Sequence, residues 1–302
     1  MMHWLSRIQQ RGKSLVIALP WLWLAFFFVL PFLFAVKISL SEPQLAQPPY
    51  MDWIREMDDG LVTIKVNFST YLLLLEDSLY INALLGSLKI AAISTLLCLL
   101  VGYPMAYAIA QAPDKYRLPL LMLIILPFWT SFLIRVYAWI GILKNNGLLN
   151  QLLMATGIID QPLEILHTPI AVYIGIVYSY VPFLILPLYA TLIRLDPVLL
   201  EAAADLGCPP WKQFLTITLP QSMPGVLAGS MLVFIPVVGE FVIPDLLGGP
   251  DTLMIGKMLW QEFFSNKDWP LASALAAILL VVLIVPFVVM RHYEQRAADE
   301  MA

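Results

Sequence analysis

Charge is scarce in this chain: Asp, Glu, Lys and Arg make up only 13% of its 302 residues, and only three histidines and two cysteines accompany them. Cys98 lies in an apolar run and Cys208 in a polar one, a spacing that suits neither a metal site nor a disulfide framework. His3, His167 and His292 are scattered, with no H-E-x-x-H pair and no Gly-x-Ser-x-Gly elbow, which argues against an enzyme working within a membrane. The G-x-x-x-x-G-K-[ST] phosphate loop is missing as well, so any ATP-driven work needs an ATPase from elsewhere. No internal repeat or low-complexity tract interrupts the chain, and residues 1–302 read as one membrane domain without an attached soluble one.

What the chain has instead is apolar surface. Hydrophobic residues make up 60% of it and mean hydropathy is +0.82, values that imply an integral membrane protein and an all-α fold. A helix needs about 20 apolar residues to cross a bilayer. Six stretches meet that length, at about 16–40, 83–110, 118–143, 169–193, 225–247 and 269–290. The first is too long for a signal-peptide core and lacks a small-x-small cleavage site, so it reads as an uncleaved span. Arg7, Arg11, Lys13, Lys115, Arg117, Arg194, Lys212, Arg291 and Arg296 fall on one side of this arrangement; Arg55, Lys65, Lys144, Lys257 and Lys267 fall on the other. That bias puts both termini and the segment 194–224 in the cytoplasm. Lys37 and Lys89 sit near outer span ends, where they can snorkel. The outer loop 41–82 carries seven acids (Glu42, Asp52, Glu56, Asp58, Asp59, Glu76 and Asp77) against two bases, enough to steer a cation unless they merely keep the loop soluble.

The polar segment is patterned. Asp196-Pro197 is a helix start, an acceptor for free N–H groups followed by a ring with helical φ. The helix should run from Val198 to Leu206 and end at Gly207 in the left-handed conformation. Pro209-Pro210 opens a second short helix through Trp211 to Thr218, which Pro220 should help to stop. Ala202, Ala203 and Ala204 permit close approach of a partner, and Glu201 and Asp205 share a face.

Glu201-Ala202-Ala203, Gly207 and Ile217-Thr218-Leu219-Pro220, in that spacing before the second-last span, resemble the cytoplasmic coupling motif of permease subunits in bacterial ABC importers. Cys208-Pro209 departs from that pattern and should stiffen the turn. The resemblance extends to the stretches 127–139 and 239–249, which are similar to the polyamine branch, and most of all to its putrescine-type permeases. It implies a six-helix type I importer fold, with Glu201, Ala202, Ala203, Asp205, Gly207, Trp211, Leu219 and Pro220 docking an ATPase. It also implies a bacterial inner-membrane location, a second homologous permease, two cytoplasmic ATPases holding ATP-Mg, a periplasmic polyamine-binding protein and surrounding lipid. Nucleic acid has no place in such an assembly, and the chain itself needs no cofactor.

Acids within spans are costly, about 2.5 to 3.5 kcal/mol each at the centre on insertion scales. Glu240 lies about 15 residues into the fifth span, or about 22 Å at 1.5 Å per residue, among the helix breakers Pro236, Gly239 and Pro244. A carboxylate beside a broken helix suits a primary ammonium. Glu240 and Asp245, with the faces of Trp129, Tyr137 and Trp139, are therefore candidate contacts for a cation in transit. The competing expectation pairs Glu240 with Arg135 or with a partner permease, and leaves the aromatics at the membrane interface. An ion-coupled secondary transporter, with Glu240 as proton carrier, and an ABC importer for another small solute stay open as alternatives.

Overall fold

The computed structural model describes residues 16–56 and 62–300. The described residues form two compact units: one holds those up to Asp77 together with Gln261–Leu280, the other Ser78–Trp260 together with those from Val281 on. Arg7, Arg11, Lys13, Asp58 and Asp59 lie outside the described residues.

In the first unit, helix α1 (Val16–Ser39) leaves Trp21, Phe28 and Phe34 exposed, the surface expected of a helix solvated by lipid. Lys37, near its end, reaches Asp52 at 2.8 Å, and Lys65 reaches Glu42 at 2.7 Å, so two of the outer-loop acids are already paired. Strands β1 (Ile54–Glu56) and β2 (Val62–Ile64) form an antiparallel hairpin, a minor addition to an otherwise helical chain. Helix α2 (Ser69–Glu76) follows, its Tyr71 hydroxyl 2.7 Å from Ser39 Oγ.

The second unit is built on three long helices, α3 (Ser78–Gln111), α7 (Pro169–Leu192) and α9 (Pro210–Val238). Between α3 and α7 the chain forms α4 (Asp114–Ile125), α5 (Phe132–Leu143) and α6 (Leu148–Ala155). Helix α7 packs against both α3 and α9, burying Val172, Ile176, Leu184, Ile185 and Leu188 completely. Without water to drive them together, membrane helices associate through close packing, which needs small residues at the crossings. Gly229 provides one: a Cβ there would stand 2.9 Å from the Leu184 carbonyl oxygen. Gly229→Ala should therefore cost about 1–3 kcal/mol through overpacking, read as a lower melting temperature of the detergent-solubilised protein.

The third apolar stretch is not a straight rod. A 3-10 turn over Leu126–Trp129 follows α4, Thr130 and Ser131 are extended, and the helices on either side meet at 90°. Pro127 starts the 3-10 turn, and its carbonyl accepts from the Thr130 hydroxyl at 2.7 Å, which fixes the break. Hydropathy alone does not distinguish a straight run from a bent one.

A second departure concerns Pro220. The expected second short helix does not stop there; α9 runs unbroken to Val238. Its turn over Phe214–Thr218 widens to the π form, in which the Leu219 amide donates to Phe214 O, and this wide turn accommodates a proline that lacks an N–H. After α9 come α10 (Val242–Leu246), α11 (Ile255–Trp260) and α12 (Trp269–Glu300). Among the described residues, five helices are long and apolar enough to cross a bilayer, and the bent pair would make a sixth.

Candidate functional site

The polar segment forms helix α8 (Pro197–Asp205), capped by Asp196, whose carboxylate accepts from the Val198 amide at 3.0 Å. At its other end the amide of Gly207 donates to Ala204 O at 2.8 Å and that of Cys208 to Ala203 O at 3.0 Å, a Schellman closure with Gly207 at φ +79°. The Gln213 side chain donates to Cys208 O at 2.7 Å and ties the turn to the start of α9. Glu201, Ala202, Asp205 and Gly207 are exposed, Ala203 and Leu219 half-buried and Pro220 exposed. Trp211 and Leu206 stand out at 67% and 88% exposure, and Val198 and Leu199 of the same segment are exposed as well. Leu206 was not singled out from the sequence, where it reads as the last apolar residue of a helix.

The second feature is a cavity of about 590 Å³ at the break after α9, lined by Phe128, Phe132, Arg135, Tyr180, Glu240 and Phe241 among others. Glu240 is 7% exposed and its carboxylate is well supplied with donors. Oε1 accepts from the amides of Phe241 at 3.1 Å, Val242 at 2.9 Å and Ile243 at 3.4 Å, so the side chain closes over the start of α10. Oε2 accepts a short hydrogen bond from the Tyr180 hydroxyl. Four donors hold this buried carboxylate in one position. Gly256 on α11 crowds the same break, since a Cβ there would stand 2.7 Å from Glu240 O.

The expected pairing of Glu240 with Arg135 is not made. Arg135 lines the same cavity with its guanidinium 4.8 Å from the Phe128 ring and 5.7 Å from that of Phe132, and its Nε and Nη1 are buried without an acceptor. Nor do the aromatics chosen from sequence gather around Glu240. Trp129 is 80% exposed, Tyr137 is 58% exposed, and Trp139 packs edge-on against Tyr178 at 5.4 Å. The bend at Thr130 and Ser131 turns Phe128 and Phe132 inward in their place. Tyr180 was not foreseen either, because a lone Tyr in an apolar span carries no pattern of its own.

Asp245 is half-exposed and bonded to Lys257 at 3.1 Å. Such partly solvated pairs are worth up to about 1 kcal/mol. Asp245→Asn should leave stability within about 1 kcal/mol of the parent and uptake nearly unchanged; a severe loss of uptake at normal abundance would restore Asp245 to the path.

Helices long and apolar enough to cross a bilayer, with a cavity at a broken segment, define an integral membrane protein that carries a polar pocket within its apolar spans. The chain belongs to the family described as the binding-protein-dependent transport system inner membrane component, which it matches over residues 1–299. It is 40% identical over 261 residues to the spermidine/putrescine transport system permease protein PotB of Escherichia coli (strain K12), covering 86% of this chain and 90% of that one. It is 37% identical over 276 residues to PotB of Haemophilus influenzae, covering 91% and 92%. In fold it resembles a chain of a bacterial alginate ABC transporter solved in complex with an alginate pentasaccharide-bound periplasmic protein. That likeness has a TM-score of 0.71 and 18% identity, and covers 97% of each chain.

Proposed function

We propose that this chain is the permease subunit of an ATP-driven polyamine importer, taking putrescine, spermidine or both. The observation that carries the substrate class is the 37–40% identity to spermidine/putrescine permeases over most of the chain. In this reading the chain lines half of a pathway completed by a second, homologous permease. A periplasmic polyamine-binding protein delivers the substrate, and ATP-Mg stays on two ATPases in the cytoplasm, where both termini also lie. Helix α8, with the exposed Leu206 and Trp211 after it, enters a cleft of an ATPase. Movement there passes into α9 without a break in the helix, and α9 ends at the cavity. Alternating access follows if the broken segment at Glu240 shifts as α9 moves.

Glu240 acts in this scheme as a fixed negative wall of the cavity. Its amide and Tyr180 bonds hold it in place, and its charge favours an ammonium passing nearby. The test is uptake into vesicles containing both permeases, the ATPase and the binding protein, offered a panel of diamines, triamines and amino acids. ATP-dependent uptake of a diamine or triamine is expected. Uptake confined to amino acids, or persisting without the ATPase, would defeat the proposal.

A further inference from the structure

Arg135 is the single cation among the described residues that line the cavity, and its buried Nε and Nη1 meet no acceptor among the described residues. A guanidinium stays charged at any physiological pH, and burying its donors without acceptors is destabilising, so stability does not explain its position. Its ring contacts are informative. It covers Phe128 and Phe132, two of the five aromatic residues that line the cavity and two ring faces that a substrate ammonium would otherwise use. It also shares the cavity with Glu240, whose oxygens are engaged by Tyr180 and three amides, so no bond neutralises either charge.

From this arrangement we infer that Arg135 is a specificity-determining residue, a tethered cation that keeps the cavity's hold on a polyamine weak. It acts in two ways: it repels the substrate's ammonium groups, and it occupies the ring faces to which they would bind. A pathway must release what it admits, and a buried carboxylate with free aromatic faces would retain a polycation. Repulsion grows with ligand charge, so the penalty is heavier for a triamine than for a diamine.

This inference rests on the polyamine reading, and its test separates the two. Equilibrium dialysis of labelled putrescine and spermidine against the purified importer, both permeases and ATPases present and the binding protein omitted, reads the cavity directly. Arg135→Met should bind spermidine about tenfold more tightly than the parent, and putrescine with a smaller gain, while steady-state uptake slows. Arg135→Lys, which keeps the charge, should stay within about twofold of the parent. If Arg135→Met does not assemble, Arg135→Gln carries the same comparison. Unchanged or weaker binding overturns the inference, as does an equal gain for both amines. Loss of the second permease from both neutral variants also overturns it, because Arg135 would then be an interface group. Failure of the polyamine reading shows elsewhere: the parent importer, with its binding protein, would take up neither amine.

Discussion

Glu240→Ala is expected to lower stability by about 3–5 kcal/mol and to cut uptake to below about a tenth. The substitution leaves three amides and the Tyr180 hydroxyl without their acceptor in a buried place, and two such donors left unpaired, at about 1–3 kcal/mol each, already reach that range. The segment between α9 and α10 would lose the group that shapes it. Glu240→Gln should be milder, since an amide oxygen still accepts from the backbone while the charge is gone. Tyr180→Phe should cost about 1–3 kcal/mol. Tyr180→Phe combined with Glu240→Ala should cost less than the two separately, because they share one bond. Thermal unfolding of the detergent-solubilised protein measures the stabilities, and vesicle uptake at matched abundance measures the transport. An alanine variant that melts and transports like the parent would show that the carboxylate does not organise the break.

Gly207→Val should do the opposite: normal insertion and abundance, but uptake reduced more than tenfold. Beyond its chain neighbours no atom lies within 4 Å of where a Cβ at Gly207 would stand, so a Cβ there meets no clash. The cost is in the backbone, where φ of +79° is unfavourable for a β-branched residue by about 1–2 kcal/mol. Relieving it opens the bonds from Gly207 and Cys208 back to α8 and changes the angle at which α8 stands. Gly207→Asn, tolerated in the left-handed region, should retain most uptake. Copurification of the ATPase with each variant is the direct readout, and full coupled uptake by Gly207→Val would refute the role given to the turn.

Most of α8 was legible because its signals are local. Asp196-Pro197 at one end and Gly207 at the other act through one or two neighbouring amides, and the structure has the cap and the closure at those residues. Pro220 misled because the preceding turn absorbs it, and whether five residues widen to the π form depends on packing. That packing is long-range: Phe214 stands edge-on to Tyr103 and Tyr107 of α3 at 5.5 and 6.0 Å. The cavity was half legible. Glu240 stood out as an acid beside helix breakers, yet the break came at Gly239 to Phe241, while Pro236 and Pro244 lie inside helices. Its neighbours depended on a 90° bend whose direction no apolar run encodes, so the ring faces expected from Trp129 and Tyr137 came from Phe128 and Phe132.

The clasp of Phe214 by Tyr103 and Tyr107 has a mechanical consequence. It sits near one end of a helix that runs 29 residues from Pro210 to Val238 and so makes a natural fulcrum. At about 1.5 Å per residue, the arm toward Pro210 is about 6 Å and the arm toward Val238 about 36 Å. A rigid rod pivoting there multiplies displacement about sixfold, and force falls in the same ratio. A nudge of about 1 Å beside Trp211 would thus swing the Glu240 end of such a rod by about 6 Å, roughly the rise of one helical turn.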